Sequence, residues 1–247
     1  MGKRVLLLGV YGMEAVECGG ALAINAKNGG ESYVSIMLAR EEMQENVKAA
    51  CEVLGVKKAY FNGFKHGMIA CDYEHKVALI KVIREVKPDI IITQDTEHCV
   101  LDLDPDRRPA MTLILESIAL ASRDFALDET PGLEPHPVPK IYYMSPLNPN
   151  CTINVADVWE LKEGGMDVLK SQMEFSGRFM QTKMTKKELE TLAPGFFDAP
   201  DDFTRGRMFH SAIDKALHMY HGACGHGNFA LAEPYRYEGH FEFAELW

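Results

Sequence analysis

Hydrophobic and polar positions along this chain switch repeatedly between two periods. An unbroken apolar run from Val5 ends at Gly9 and, after a short turn, gives way to a helical pattern that opens at Glu14 and closes at Asn28-Gly29-Gly30. Tyr33 to Leu38 is a second apolar run. Met43, Val47, Ala50 and Leu54 then recur on one side of a helix over 41–54, with Gly55 as its stop. A third strand is expected at 58–63, a helix with Val77, Ile80 and Ile83 on one face at 73–86, and a fourth strand at Ile90-Ile91-Ile92. Asp104 and Pro105 supply a cap and a first-turn residue for the next helix, whose inner face is Met111, Ile114, Leu115 and Ile118.

The second half is less regular. Residues 122–139 hold four prolines and no period, which predicts a long surface loop of a length that points to function. Strands are expected at 140–144 and 152–155, and a helix over 157–176 should bury Trp159, Met166, Leu169 and Met173. A second proline-rich loop at 192–204 precedes a last helix, 205–222, with Phe209, Ile213, Ala216 and Tyr220 inward. Wholly apolar strands alternating with helices predict an α/β fold: a Rossmann-like, doubly wound, mostly parallel sheet with helices on both faces. In such sheets ligands bind beyond the carboxyl ends of the strands, so residues 9–14 should face the site.

Composition narrows the partners. The chain has 247 residues and a net charge of −10, with no basic run, so nucleic acid and anionic membranes are poor partners. No stretch approaches the roughly 20 apolar residues of a membrane span. Glu14 and Glu17 interrupt the first apolar run too early for a signal peptide, and the six cysteines are scattered without CxxC spacing. These features predict a cytoplasmic protein with reduced thiols and one domain over 1–247, its core at about 4–175 and its C-terminal helix and tail at 205–247. Phe241, Phe243, Leu246 and Trp247 in the tail are costly to leave in water, which predicts packing across a neighbour in a homo-oligomer.

The order of these elements, Gly19-Gly20 after the first strand, AACEVLGV (49–56), PDIIITQD (88–95) leading into DLDPDRRPA (102–110), KSQ (170–172) and AEPYR (232–236) together resemble the LmbE/PIG-L family. The resemblance implies zinc-dependent de-N-acetylation of amino sugars or, in some relatives, hydration of small unsaturated acids. In that family a PHPDDE motif ends the first strand. Its histidine and second aspartate bind zinc, its first aspartate is the general base, and the last histidine of an HPDH motif is the third ligand. The six matching positions here are Gly9, Val10, Tyr11, Gly12, Met13 and Glu14; the second motif reads Asp104, Pro105, Asp106 and Arg107.

Valine has no lone pair, a thioether is a poor zinc ligand, and a guanidinium is a cation. Bound zinc lowers the pKa of water from about 15.7 to about 7, on the order of 12 kcal/mol of help in making hydroxide. Gly12 cannot take the proton. The expectation is therefore no bound metal, no cofactor and no zinc hydrolysis.

Strand ends and the turns after them should bring together Tyr11, Glu14, Arg40, His66, Asp95, His98, Asp102, Asp104, Asp106, Arg107 and Arg108, and three readings of this crevice compete. It binds a small, anionic metabolite or a partner without turnover. Alternatively, it runs metal-independent lyase, hydratase or hydrolase chemistry, with His98, Glu14 and Asp106 as acid–base groups and Tyr11, Gly12, Arg40, Asp104, Arg107 and Arg108 holding a carboxylated or sugar-like substrate. In the third, the acidic 102–106 turn captures a hard cation such as magnesium or calcium. Helix-end acids favoured by the dipole and arginines paired with them offer a purely structural account of the same residues. A dinucleotide site is disfavoured because Gly9-x-x-Gly12 lacks the full glycine pattern and Arg40 follows the second strand. His210, His218, His221, His226 and His240 are read as a polar helix face and turn rather than a metal site.

Overall fold

A computed structural model describes residues 2–225 and 227–239. Strands β1 (Arg4–Tyr11), β2 (Glu31–Leu38), β3 (Lys58–Phe61), β4 (Ile90–Gln94) and β5 (Lys140–Met144) are parallel to one another. Strand β6 (Cys151–Asn154) is at one edge, and β7 (Ala232–Tyr237) lies between β5 and β6, antiparallel to both. The sheet order is β3-β2-β1-β4-β5-β7-β6. The order reverses between β1 and β4, which opens a crevice there at the carboxyl ends of the strands.

Helices cover both faces, as predicted. On one face Val5 and Leu7 pack with Leu22 of α2 (Gly19–Lys27), Val47 and Leu54 from the α3 segment (helix Glu41–Val53), Met166 of α7 (Trp159–Val168) and Met173 of α8 (Lys170–Lys183). On the other face Leu6, Leu8 and Val10 pack with Leu79, Ile80 and Ile83 of α4 (Tyr73–Val86) and with Leu113 and Ile114 of α6 (Arg107–Ala121). Because both sides of β1 are buried, its apolar run shows no alternation.

Several boundaries differ from expectation. The helix expected at 14–28 is two pieces, α1 (Glu14–Glu17) and α2, and a short helix α5 (Thr96–Leu101) follows β4. Helix α6 begins at Arg107 rather than at Pro105, because the acidic stretch caps itself. Asp104 N–H donates to Asp102 Oδ1 and Asp106 N–H to Asp104 Oδ1, each at 2.9 Å, a local alternative to helical bonding. The helix expected over 157–176 breaks at Leu169 into α7 and α8, and α9 (Lys186–Leu192) precedes the second loop. The 122–139 loop is pinned from below by fully buried Arg84, which donates to Ala121 O, Arg123 O, Phe125 O and Thr130 Oγ1.

Helix α10 (Asp202–His221) presents a different face from the one expected. Phe209 is buried, but Ala216 and Tyr220 are exposed, and His218 is turned inward at 3% exposure. The cause is close backbone packing: a Cβ on Gly206 would come within 1.9 Å of Met173 O, and one on Gly177 within 2.1 Å of Asp202 O. Glycines, which carry no apolar signal, set the face. His226, His240 and the aromatic tail, on which the oligomer expectation rests, lie outside the described residues.

Candidate functional site

The crevice is built from the ends of β1 and β4, helix α1 and the 95–107 stretch. Glu14 opens α1 with its carboxylate turned back under the strand end, only 1% exposed. Its Oε2 accepts from Val10 N at 2.8 Å and its Oε1 from Tyr11 N at 3.4 Å. Arg107, the first residue of α6, donates from Nη1 to Glu14 Oε1 at 2.8 Å and to Gln94 Oε1 at 3.2 Å. Its Nε lies 3.4 Å from Asp102 Oδ2, and its guanidinium sits over the Tyr11 ring at 5.3 Å. Burial alone would lower the Arg107 pKa, but Glu14 and Glu17 raise it further, so the cation is held firmly.

Around this pair lie two imidazole–carboxylate dyads and one phenol–carboxylate pair. His66 Nδ1 meets Asp106 Oδ2 at 2.6 Å, and Gly67 N–H also donates to that buried carboxylate. His98 Nε2 lies 3.1 Å from Asp102 Oδ2. The Asp104 backbone N–H, with help from His98 and Arg107, holds the Asp102 carboxyl below the usual range. Tyr11 donates to Asp104 Oδ2 at 2.7 Å, and its pKa is raised by burial and then by Asp104, so the phenol keeps its proton and acts as a donor. Both histidines are well exposed, with 70% and 47% of the side chain open.

The expected residues therefore separate into two groups. Glu14, Tyr11, Asp104, Asp106, Arg107 and His98 come together. Arg40 does not: it caps α3 with 79% of its side chain exposed and pairs with Glu42. Arg108 is exposed and donates to Val100 O and Asp102 O of its own loop. Gly12 has a packing reason, since a Cβ there would meet Val47 Cγ2 at 2.5 Å. The three arginines do not form an anion clamp.

His66, expected at the crevice from its place after a strand but given no role, sits on a loop after β3. Gln94 gave no signal, being the last residue of an apolar strand. Asp95, 1% exposed, takes His98 N and Leu147 N on Oδ2, while its Oδ1 is enclosed without a partner among the described residues.

The donor set does not fit zinc. Val10 and Met13 are buried among apolar side chains, and Arg107 meets Glu14 as a cation. Among the described residues no three His, Cys, Asp or Glu are grouped so as to hold a metal ion, the 102–106 acids included. No helix there is long and apolar enough to cross a membrane.

No family model matches the chain. A diacetylchitobiose deacetylase of Thermococcus kodakarensis is 28% identical over 130 residues, 52% of this chain; the match spans about half, 48%, of that relative's length. Among solved structures, N,N′-diacetylchitobiose deacetylase from Pyrococcus horikoshii, with a bound inhibitor, is similar at a TM-score of 0.69 and 20% identity, over 95% of this chain and 83% of that one. The 4-carboxy-2-hydroxymuconate hydratase of Pseudomonas putida is similar at 0.68 and 17% identity, over 99% and 100%. A conserved protein of Thermus thermophilus gives 0.69 and 18%, over 99% and 98%. The structures share the fold, and with the sequence relative they support the LmbE/PIG-L-like resemblance carried by the strand, glycine and DLDPDRRPA motifs.

Proposed function

We propose that this is an LmbE/PIG-L-like protein in which the zinc-dependent deacetylase chemistry has been replaced by metal-free recognition of a small polar molecule in the β1/β4 crevice. The observation that carries this reading is the Arg107–Glu14 ion pair at 2.8 Å, which puts a fixed cation at the position the resemblance gives to a ligand histidine. A guanidinium supplies charge and donors but cannot lower the pKa of a bound water as a metal does. Glu14 and Asp102 hold Arg107, and Asp104 and Asp106 add negative charge in the turn before it, which favours a hydroxyl-bearing, sugar-like ligand over a free anion.

A second reading, metal-free lyase, hydratase or hydrolase chemistry, is favoured by the His66–Asp106 and His98–Asp102 dyads. Each leaves one ring nitrogen toward solvent for proton transfer, with a carboxylate orienting the other. The Tyr11 hydroxyl would position substrate there.

Purified protein loaded with zinc and incubated with N,N′-diacetylchitobiose tests the main reading. No acetate release and no zinc retained after dialysis are expected. Acetate release that scales with bound zinc would overturn it. Turnover of a hydroxylated or unsaturated acid that survives chelators and is lost in His98→Ala would select the second reading.

A further inference from the structure

Six buried side-chain polar atoms lack a hydrogen-bond partner among the described residues, and four of them lie in one wall, on α7 and α10: Glu163 Oε1, His210 Nδ1, Asp214 Oδ2 and His218 Nε2. Each such group costs about 1–3 kcal/mol when nothing satisfies it, so their concentration in one place asks for a missing partner. Beside them is a cavity of about 80 Å³, lined by Glu17, Lys162, Asp214, His218, Glu233 and the end of β5 at Met144 and Ser145. Helix α1 stands between this cavity and the crevice: Glu14 faces Arg107, and Glu17 faces the cavity.

The chemistry of the lining is one-sided. Lys162, 1% exposed, is fully occupied: Nζ donates to Val16 O at 2.7 Å, Glu17 O at 2.5 Å and Glu233 Oε1 at 2.8 Å. Glu233 is equally saturated, accepting from Gly20 N, Ala21 N and the Tyr235 hydroxyl. His218 Nδ1 lies 2.6 Å from the Asp214 carbonyl, which can only accept, so Nδ1 carries the hydrogen and Nε2 is a bare lone pair. Glu233 Oε1, 4.0 Å from that nitrogen, is too far to satisfy it and is itself an acceptor. Among the described residues the Glu17 carboxylate has no hydrogen bond or ion pair to a side chain. What remains unpartnered in the lining is thus three acceptors, His218 Nε2, Asp214 Oδ2, which lies 4.0 Å from His210 Nδ1, and Glu17, beside the Ser145 hydroxyl, which can donate or accept.

We propose that this cavity binds a primary ammonium group, either of a small free amine or at the amine end of a larger ligand. Three N–H donors on one positive centre match three open acceptors of which two are carboxylates. The volume suits a group of a few heavy atoms, and a ligand anion is excluded by the lining. Burial pushes the Asp214 carboxyl up to about 6, and Glu17, though solvent reaches it, is raised as well by desolvation and by Glu14; a bound cation would relieve both. Burial, then Lys162, pushes His218 down to about 4, which keeps its ring neutral and its lone pair available. A metal ion is disfavoured because these side chains are not grouped for coordination. The inference does not depend on what the β1/β4 crevice binds.

The test is a titration of the full-length protein with methylammonium chloride at constant ionic strength, followed by the ¹⁵N resonances of the His218 ring. A saturable shift of Nε2 is expected, weakened by about tenfold or more in Asp214→Asn and in Glu17→Gln, the worth of one hydrogen bond to a charged group. Tetramethylammonium, with the same charge and no N–H, should leave the resonance in place. If Asp214→Asn does not fold, Glu17→Gln, on the open side of the cavity, carries the comparison. No shift with methylammonium, or an equal shift with tetramethylammonium, would make this a water-filled cavity and overturn the assignment. Stoichiometric zinc binding that moves the same resonance would overturn it as well.

Discussion

The β1/β4 crevice and the α7–α10 wall both bury charge, and they treat it oppositely. At the crevice a carboxylate and a guanidinium answer each other, and the backbone N–H groups of Val10 and Tyr11 complete Glu14. Only Asp95 Oδ1 is left without a partner there among the described residues. Lys162 of α7 and Glu233 satisfy each other, but along α7 and α10 one side-chain atom each of Glu163, His210, Asp214 and His218 lacks a partner among the described residues, although Glu163 also meets Arg207 and His210 meets Ser176. A buried charge needs either an internal partner or an external one. The crevice supplies its buried carboxylate with a cation and backbone donors; the wall, despite Lys162 and Arg207, leaves four buried polar atoms without a partner among the described residues.

The comparison can be broken most decisively at the crevice. Val10→His, Met13→Asp and Arg107→His together replace the apolar and cationic side chains by donors. The triple variant should hold about one zinc per chain after dialysis, by metal analysis, where the parent holds none. Failure to retain zinc would mean that the backbone itself, and not the side chains, has left the metal-binding geometry.

Stability measurements sharpen it next. Lys162→Ala strands Glu233, 2% exposed, and should cost about 3–5 kcal/mol in urea unfolding. Arg107→Ala strands Glu14 likewise, but solvent reaches the guanidinium's place more easily, so a cost nearer the lower end is expected. Lys162→Met combined with Glu233→Gln should recover much of the first loss, because the uncompensated charge is gone. Tyr11→Phe removes only one half-buried hydrogen bond to Asp104 and should cost about 1 kcal/mol.

The smallest expected effect is on pH dependence. The Glu17 and Asp214 carboxyls are raised, to about 7 and about 6, so the folded chain takes up protons there before the unfolded chain does. Stability should rise as pH falls through this range. His210 and His218 are lowered to about 4, chiefly by burial, so their contribution is lost as pH falls below about 6.5 toward 4, where the unfolded chain protonates first. The melting temperature should therefore peak near about pH 6.5, and Glu17→Gln should flatten its alkaline side. Glu17 faces Glu14, Arg107, Lys162 and Asp214, and solvent reaches it, so the change is modest. A melting temperature that climbs steadily from about pH 6.5 to about 8 would contradict the assignment.

Much of this could be read along the chain. The alternation of apolar strands with one-sided helices led to the doubly wound sheet, and the first strand's end led to the crevice. Helix 73–86 and strand 140–144 appear with the expected ends. Strand β7 did not announce itself, because AEPYRY mixes proline and charge with apolar residues and its two partners are distant in the chain. The α10 face was misread because Gly177 and Gly206, invisible to a hydrophobic period, decide which side meets α8.

At the site, the amino-acid sequence by itself determined that a valine, a methionine and an arginine stand at positions 10, 13 and 107, and side-chain identity needs no fold to be known. Which charges meet was a matter for tertiary structure alone. Glu14 and Arg107 are 93 residues apart, Lys162 and Glu233 are 71 apart, and Glu17 and Asp214 share a cavity only because α1 and α10 pack around the same strand ends. Local pattern encodes burial through periodicity. Pairing of buried charges carries no such period, because it depends on where two distant segments end in space.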